Sequence, residues 1–245
     1  MSTSGDLIIG VGSLIAGVRT LAGILRRPAL GTRGLGAPRG RLVRGLDLSR
    51  PTAEVQRQAL RTMVGRRQAS EPIHNVRTLD ERVRHIARMT LKGADDPDVR
   101  MTTARLLSRK CGGRWCIPER DWSGEVHAIF GAVREHLRYT RDPEGTDLFQ
   151  HPVRAFQTGG ADCDDQSIAL CSMLMSVGYP VRLRVIRSRG EDDWNHIYAL
   201  VGLPPGKPTR WVPLDTTVPG SRPGWQPPRR EIAACRDFAV RHNDT

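Results

Sequence analysis

The sequence predicts an α+β fold in which one buried helix packs on an antiparallel sheet, preceded by a helical layer and an extended N-terminal arm. Residues 163–177 are apolar nearly all round (Ile168, Ala169, Leu170, Cys171, Met173, Leu174, Met175, Val177) and stop at Gly178, the pattern of a core helix with a glycine C-cap. Three β-rich stretches, 180–187, 195–202 and 210–214, follow closely, separated by turn-rich segments. Upstream of both, apolar residues recur at helical spacing.

With 245 residues there is room for one full domain plus an appendage, or for two small domains. Charge locates the division: residues 1–70 hold twelve arginines and no lysine against Asp6, Asp47 and Glu54, which is nine of the net +12. The basicity therefore belongs to an arm, and the expected organisation is an arm over 1–50 and a domain over 51–245 with its core at 121–218. The arginine excess reads equally as attraction to an anionic partner or as a general preference for Arg, since the chain has only Lys92, Lys110 and Lys207.

Within the arm, Leu7, Val11, Leu14, Val18, Leu21 and Leu25 form a helical seam. Docking on a partner protein is its first reading; membrane contact and a disordered or locally buried arm compete with it. Residues 32–49, rich in Gly and Arg, read as a flexible connector. They carry no aromatic platform or recognised motif, which argues against nucleic-acid binding.

Thr78 and Glu81 suit a capping box ahead of the stripe Leu79, Val83, Ile86 and Met89. A second helix is expected over 98–109. A third starts near Asp121 or Ser123 and carries Trp122, Val126, Ile129, Val133 and Leu137 on one face. Trp115 and Trp122 are expected to pack this layer.

Five unevenly spaced cysteines do not suggest a disulfide framework, so a reducing compartment is the default. No basic segment precedes the apolar stretch and no cleavage site follows it, so no cleaved signal peptide is expected. Cys111 and Cys116 in KCGGRWC could be half of a zinc site, but no second pair follows, and His127 and His136 lack ligand spacing. The expectation is a surface turn with incidental thiols, no bound metal and no cofactor.

A nucleophilic cysteine needs its thiolate stabilised, and the first turn of a helix offers free N–H groups and a favourable dipole. Cys163 lies there, after Gly159 and Gly160. In WNHIYALVG the strand period puts His196, Tyr198 and Leu200 on one face, and the next strand ends at Asp215 in RWVPLDTT. On adjacent strands, Asp215 could accept one imidazole N–H of His196 while the other nitrogen faces the thiol. Singly, each residue has a plainer reading: a core thiol, a satisfied strand histidine, a turn-forming aspartate. Together and in this order they form a nucleophile, base and orienter set.

The stretches GGADCDDQSIALCSMLMSVGYPVRLRVI, NHIYALV and WVPLDTT resemble the transglutaminase-like superfamily over about residues 139–217. The resemblance implies a papain/transglutaminase-like core with Cys163, His196 and Asp215 as the catalytic triad. YTRDPEGTDLFQHP with the DCDD variant is similar to the transglutaminase-like proteins of tailed phages and prophages. The chain departs from the family pattern in placing Asp162, Asp164 and Asp165 around the cysteine, which should stabilise the helix start but raise the thiol pKa. A calcium or magnesium site is another use for three carboxylates, but consecutive positions at a helix start do not converge. The backbone N–H of Cys163 is one natural oxyanion donor, and Gln157 resembles the Gln that papain-like enzymes place before their Cys.

The implied function is a thiol-dependent amide hydrolase or acyltransferase acting on protein or peptidoglycan peptide. The alternative is a non-catalytic virion component that keeps the fold as a scaffold, with the arm docking a partner or membrane. The expected location is cytoplasmic or virion-associated.

Overall fold

The computed structural model describes residues 70–73 (backbone only), 78–142 and 147–242. The expectations for the arm, its seam over 7–25 and its connector over 32–49, lie outside the described residues.

The helical layer opens with α1 (Leu79–Asp95). Thr78 caps it, its hydroxyl accepting the Glu81 N–H at 3.2 Å, and Val83, Ile86 and Met89 bury the expected stripe. Asp96 ends α1 and starts α2 (Pro97–Leu107): its carboxylate accepts from the N–H groups of Asp98 (2.8 Å) and Val99 (3.3 Å), with proline in the first turn. A hairpin follows, β2 (Lys110–Cys111) and β3 (Arg114–Trp115), turning through Gly112 and Gly113, both at positive φ as a tight hairpin turn demands. Helix α3 (Trp122–His136), capped by Asp121, buries Val126, Ile129, Phe130 and Val133.

Two expectations fail in this region. Cys111 and Cys116 are joined in a disulfide, because the two-glycine turn brings their Cα atoms to 5.0 Å. Trp115 and Trp122 do not pack the helical layer: they are 54% and 38% exposed. Trp115 sits on the projecting hairpin, with the Lys110 ammonium 4.9 Å from its ring centre, and Trp122 is the first residue of α3.

Short elements then lead to the central helix. Strand β4 (Arg138–Tyr139) pairs in parallel with β6 (Gly160–Ala161), and β5 (Asp147–Gln150) pairs antiparallel with β1 (Ser70–Ile73). Between them lies α4 (Pro152–Thr158), closed by Gly159 in the left-handed region, where a side chain would be strained. Helix α5 (Cys163–Ser176) is buried from Asp164 to Leu174. Helices α1 to α4 cover one side of it and β7 (Val181–Ser188) and β8 (His196–Leu203) the other. Gly93 on α1 permits close approach, since a Cβ there would lie 2.4 Å from Ser172 Oγ, and that hydroxyl bonds the Thr90 carbonyl at 2.9 Å.

The antiparallel sheet has the order β10–β7–β8–β9, with β9 at Arg210–Leu214 and β10 at Ile232–Ala239. Strand β8 is buried along its length. Its Ile197, Ala199, Val201 and Leu203 join the main core, while Tyr198 and Leu200 form a second cluster with Ile186. Each such large apolar side chain, once fully buried, contributes about 1.5–3 kcal/mol. Strand β10 lies beyond the three strands expected from the sequence; the Arg184 guanidinium holds it to β7 through both oxygens of Asp237, at 2.6 and 2.7 Å. The result is the expected α+β, papain-like arrangement with the start of α5 beside the start of β8. Among the described residues no helix is long and apolar enough to cross a membrane.

Candidate active site

Cys163 is the first residue of α5 and is partly exposed. The approach is fixed by β6, where the carbonyls of Gly159 and Ala161 accept from the N–H groups of Arg138 (2.8 Å) and Thr140 (3.0 Å). The helix then starts at Asp162, whose carboxylate accepts the Asp165 N–H at 2.9 Å.

His196, 7% exposed, begins β8, and its Nε2 lies 2.8 Å from Oδ2 of Asp215, which is wholly buried and directly follows β9. The other oxygen of Asp215 accepts from the Thr217 N–H (3.1 Å) and hydroxyl (2.6 Å), and Ser221 Oγ bonds the Asp215 carbonyl at 2.6 Å. The Asp-Thr-Thr stretch is thus a turn and an orienting device at once. Nδ1 of His196 is left as the nitrogen that can serve as base. The ring lies 5.8 Å from that of Tyr198, centre to centre.

The electrostatics of the pair are reciprocal. Burial resists charging His196, but the Asp215 carboxylate beside it prevails and holds its pKa above the ordinary imidazole value. Burial likewise opposes ionising Asp215, yet His196 and the two Thr217 donors hold its pKa below the usual carboxylate value.

Around the sulfur the balance differs. Burial first, then the charges of Asp164 and Asp162, push the Cys163 thiol well above its ordinary range, as the acidic flank predicted. The Arg82 guanidinium and the backbone at Ile197, the residue after His196, oppose this. The thiol itself donates to Asp164 Oδ1 at 3.6 Å. Sulfur and imidazole are presented by neighbouring elements of the fold, at the starts of α5 and β8.

The three aspartates have separate partners. Asp162 caps the helix. Asp164 Oδ2 accepts from Arg82 Nε (3.0 Å) and Nη2 (2.9 Å). Asp165 takes the Gln150 N–H (2.7 Å) on one oxygen and the Gln150 side-chain amide (2.6 Å) on the other, tying β5 to the helix start. Burial still raises the Asp165 and Asp162 carboxyls. Among the described residues no group of His, Cys, Asp or Glu is arranged to hold a metal ion.

Arg82 and Gln150 escape a reading of the sequence. Arg82 lies 82 positions before Asp164 and reads there as one charge on an amphipathic helix; Gln150 sits in a short strand with no periodic signal. Gln157 falls on α4.

This arrangement, a buried helix that opens with a thiol and packs on an antiparallel sheet whose neighbouring strands β8 and β9 bring His196 and Asp215 together, is that of papain-like α+β domains. Residues 117–216 match the family model of the transglutaminase-like superfamily. Solved structures that it resembles include Legionella pneumophila LapG and the same protein treated with EGTA. Each is 19% identical at a TM-score of 0.37, covering 58% of this chain and 79% and 78% of theirs. No curated protein matches the sequence.

Proposed function

We propose that the protein is a thiol-dependent amide hydrolase or acyltransferase with Cys163 as nucleophile, His196 as base and Asp215 as orienter. The observation that carries this reading is the buried 2.8 Å His196–Asp215 hydrogen bond at the start of β8, the strand that packs against the helix opened by Cys163. The match to the transglutaminase-like family model supports the same chemistry at the level of the superfamily.

His196 works as a general base during attack. Nδ1 takes the thiol proton as sulfur bonds to the amide carbonyl carbon. The carbonyl oxygen gains the charge, and the backbone N–H of Cys163, in the first turn of α5, is the donor we assign to it. Collapse breaks the C–N bond, the imidazolium returns its proton to the departing amine, and a thioester remains. Water gives hydrolysis; an incoming amine gives acyl transfer. A protein or peptidoglycan peptide is the substrate class proposed.

The Cys111–Cys116 disulfide favours oxidising surroundings over the reducing compartment that the cysteine count suggests. A scaffold role in a phage-like particle rests on the arm over 1–50, outside the described residues.

Labelling with iodoacetamide, read at the Cys163 peptide by mass spectrometry, tests the assignment. His196→Ala is expected to slow Cys163 labelling by about 10²-fold while leaving the exposed Cys235 unchanged. Equal Cys163 rates in wild type and variant would overturn the nucleophile and base roles.

A further inference from the structure

Asp164 stands between two groups. One of its oxygens takes the Cys163 thiol at 3.6 Å; the other takes the Arg82 guanidinium at 2.9 and 3.0 Å. Arg82 Nη2 also reaches Asp147 Oδ1 at 3.4 Å, so one side chain from α1 joins β5 and the start of α5. The Asp164 side chain is 5% exposed and that of Arg82 20%, so solvent screens their interaction weakly. The other groups near the sulfur are mostly acidic: Asp162 and Asp164 on either side of it in the chain, with Tyr139 from β4, while Asp142 and Asp147 lie beside Asp164 and Arg82.

We propose that Arg82 is a positioning residue for the nucleophile: it neutralises Asp164, and it supplies the positive charge against which the Cys163 sulfur becomes anionic during attack. This deepens the thiol-enzyme reading and rests on it. A thiolate formed beside Asp164 without Arg82 would face an uncompensated carboxylate at hydrogen-bond distance. With Arg82 in place, the carboxylate's charge is shared with the guanidinium, and the attraction of Arg82 for sulfur remains. The raised thiol pKa, with Arg82 among the opposing causes, agrees with that geometry.

A merely structural ion pair would alter stability and leave thiol ionisation where it was. The test is therefore the pH midpoint of Cys163 labelling by iodoacetamide in the full chain, for wild type, R82K, R82Q, D164N and the double variant R82Q/D164N, with folding checked by circular dichroism. R82Q should raise the midpoint by about one pH unit or more, as expected for loss of an adjacent opposite charge. D164N should lower it, R82K should stay nearest to wild type, and the double variant should return toward wild type because both charges are gone. An unchanged midpoint in R82Q, or a midpoint in D164N that fails to fall, overturns the proposal. If R82Q does not fold, R82Q/D164N against D164N decides the matter: the double variant should have the higher midpoint, and equal midpoints overturn the proposal. The wild-type and His196→Ala rates report separately on the nucleophile assignment, so Cys163 labelling that depends on His196 but ignores Arg82 refutes only this inference.

Discussion

Asp215→Asn changes one atom in a wholly buried side chain and separates the orienting role from packing. Asp215 Oδ1 accepts twice from Thr217, and an asparagine oxygen can keep both bonds. The amide nitrogen must then take the place of Oδ2, 2.8 Å from His196 Nε2. Two donors cannot face each other, so the ring must offer a lone pair at Nε2 and carry its proton on Nδ1. That is the nitrogen needed as base. Loss of general-base assistance should lower the rate of Cys163 chemistry by about 10²–10⁴-fold. Loss of a charge-assisted buried hydrogen bond should destabilise the fold by about 1.5–3 kcal/mol.

The stability loss should depend on pH with a definite sign. Asp215 has a folded-state pKa below its unfolded value, so its contribution is present above about pH 3.9 and is lost as pH falls through the folded value. His196 has a folded-state pKa above its unfolded value, so its contribution is full below about pH 6.5 and is lost as pH rises through the folded value. The gap between wild type and D215N, measured by urea denaturation, should be widest near about pH 5–6 and narrow on either side. A gap that stays constant across that range, or D215N labelling at Cys163 as fast as wild type, would refute the paired-charge reasoning.

Two further outcomes test the packing. Gly93→Ala should gain about 1 kcal/mol from helix propensity. Its Cβ, however, would meet Ser172 Oγ at 2.4 Å and Pro152 Cγ at 2.6 Å, so overpacking of about 1–3 kcal/mol should leave a net loss; a raised denaturation midpoint would contradict so close an approach of α1 to α5. Replacing Cys111 and Cys116 together by serine should cost about 2 kcal/mol, the chain-entropy value for so short a loop, and leave Cys163 labelling unaltered. A change in Cys163 reactivity would show that the hairpin communicates with the site.

Those parts of the fold that have a local signal are legible in the sequence. Helix α5 is legible because it is apolar all round and ends at Gly178, and β7 to β9 because their apolar residues suit a buried sheet between turn-rich segments. The polar order Cys163, His196, Asp215 marks the elements to compare, and the structure does pair the last two. Strand β10 is hidden because it is an edge strand: Arg236 and Asp237 sit where a buried strand would carry apolar residues, and its register comes from β7. The disulfide is hidden because its evidence is the turn geometry at Gly112 and Gly113, not the spacing of five cysteines. Arg82 and Gln150 are invisible for a related reason. Their partners are set by three-dimensional contacts across 82 and 15 residues, which leave no periodic trace.

The contact between Arg82 and Asp164 also bears on how much of the chain the site requires. The family match starts at residue 117, yet the guanidinium bound to Asp164 comes from α1, and the edge strand β10 lies after residue 216. A fragment cut at those limits would keep Cys163, His196 and Asp215 and still expose the buried face of α5 that α1 covers. It would present the Asp164 carboxylate without the guanidinium that now faces it. Expression boundaries drawn from the match alone would therefore yield a protein that keeps Cys163, His196 and Asp215 but surrounds the thiol with a different charge.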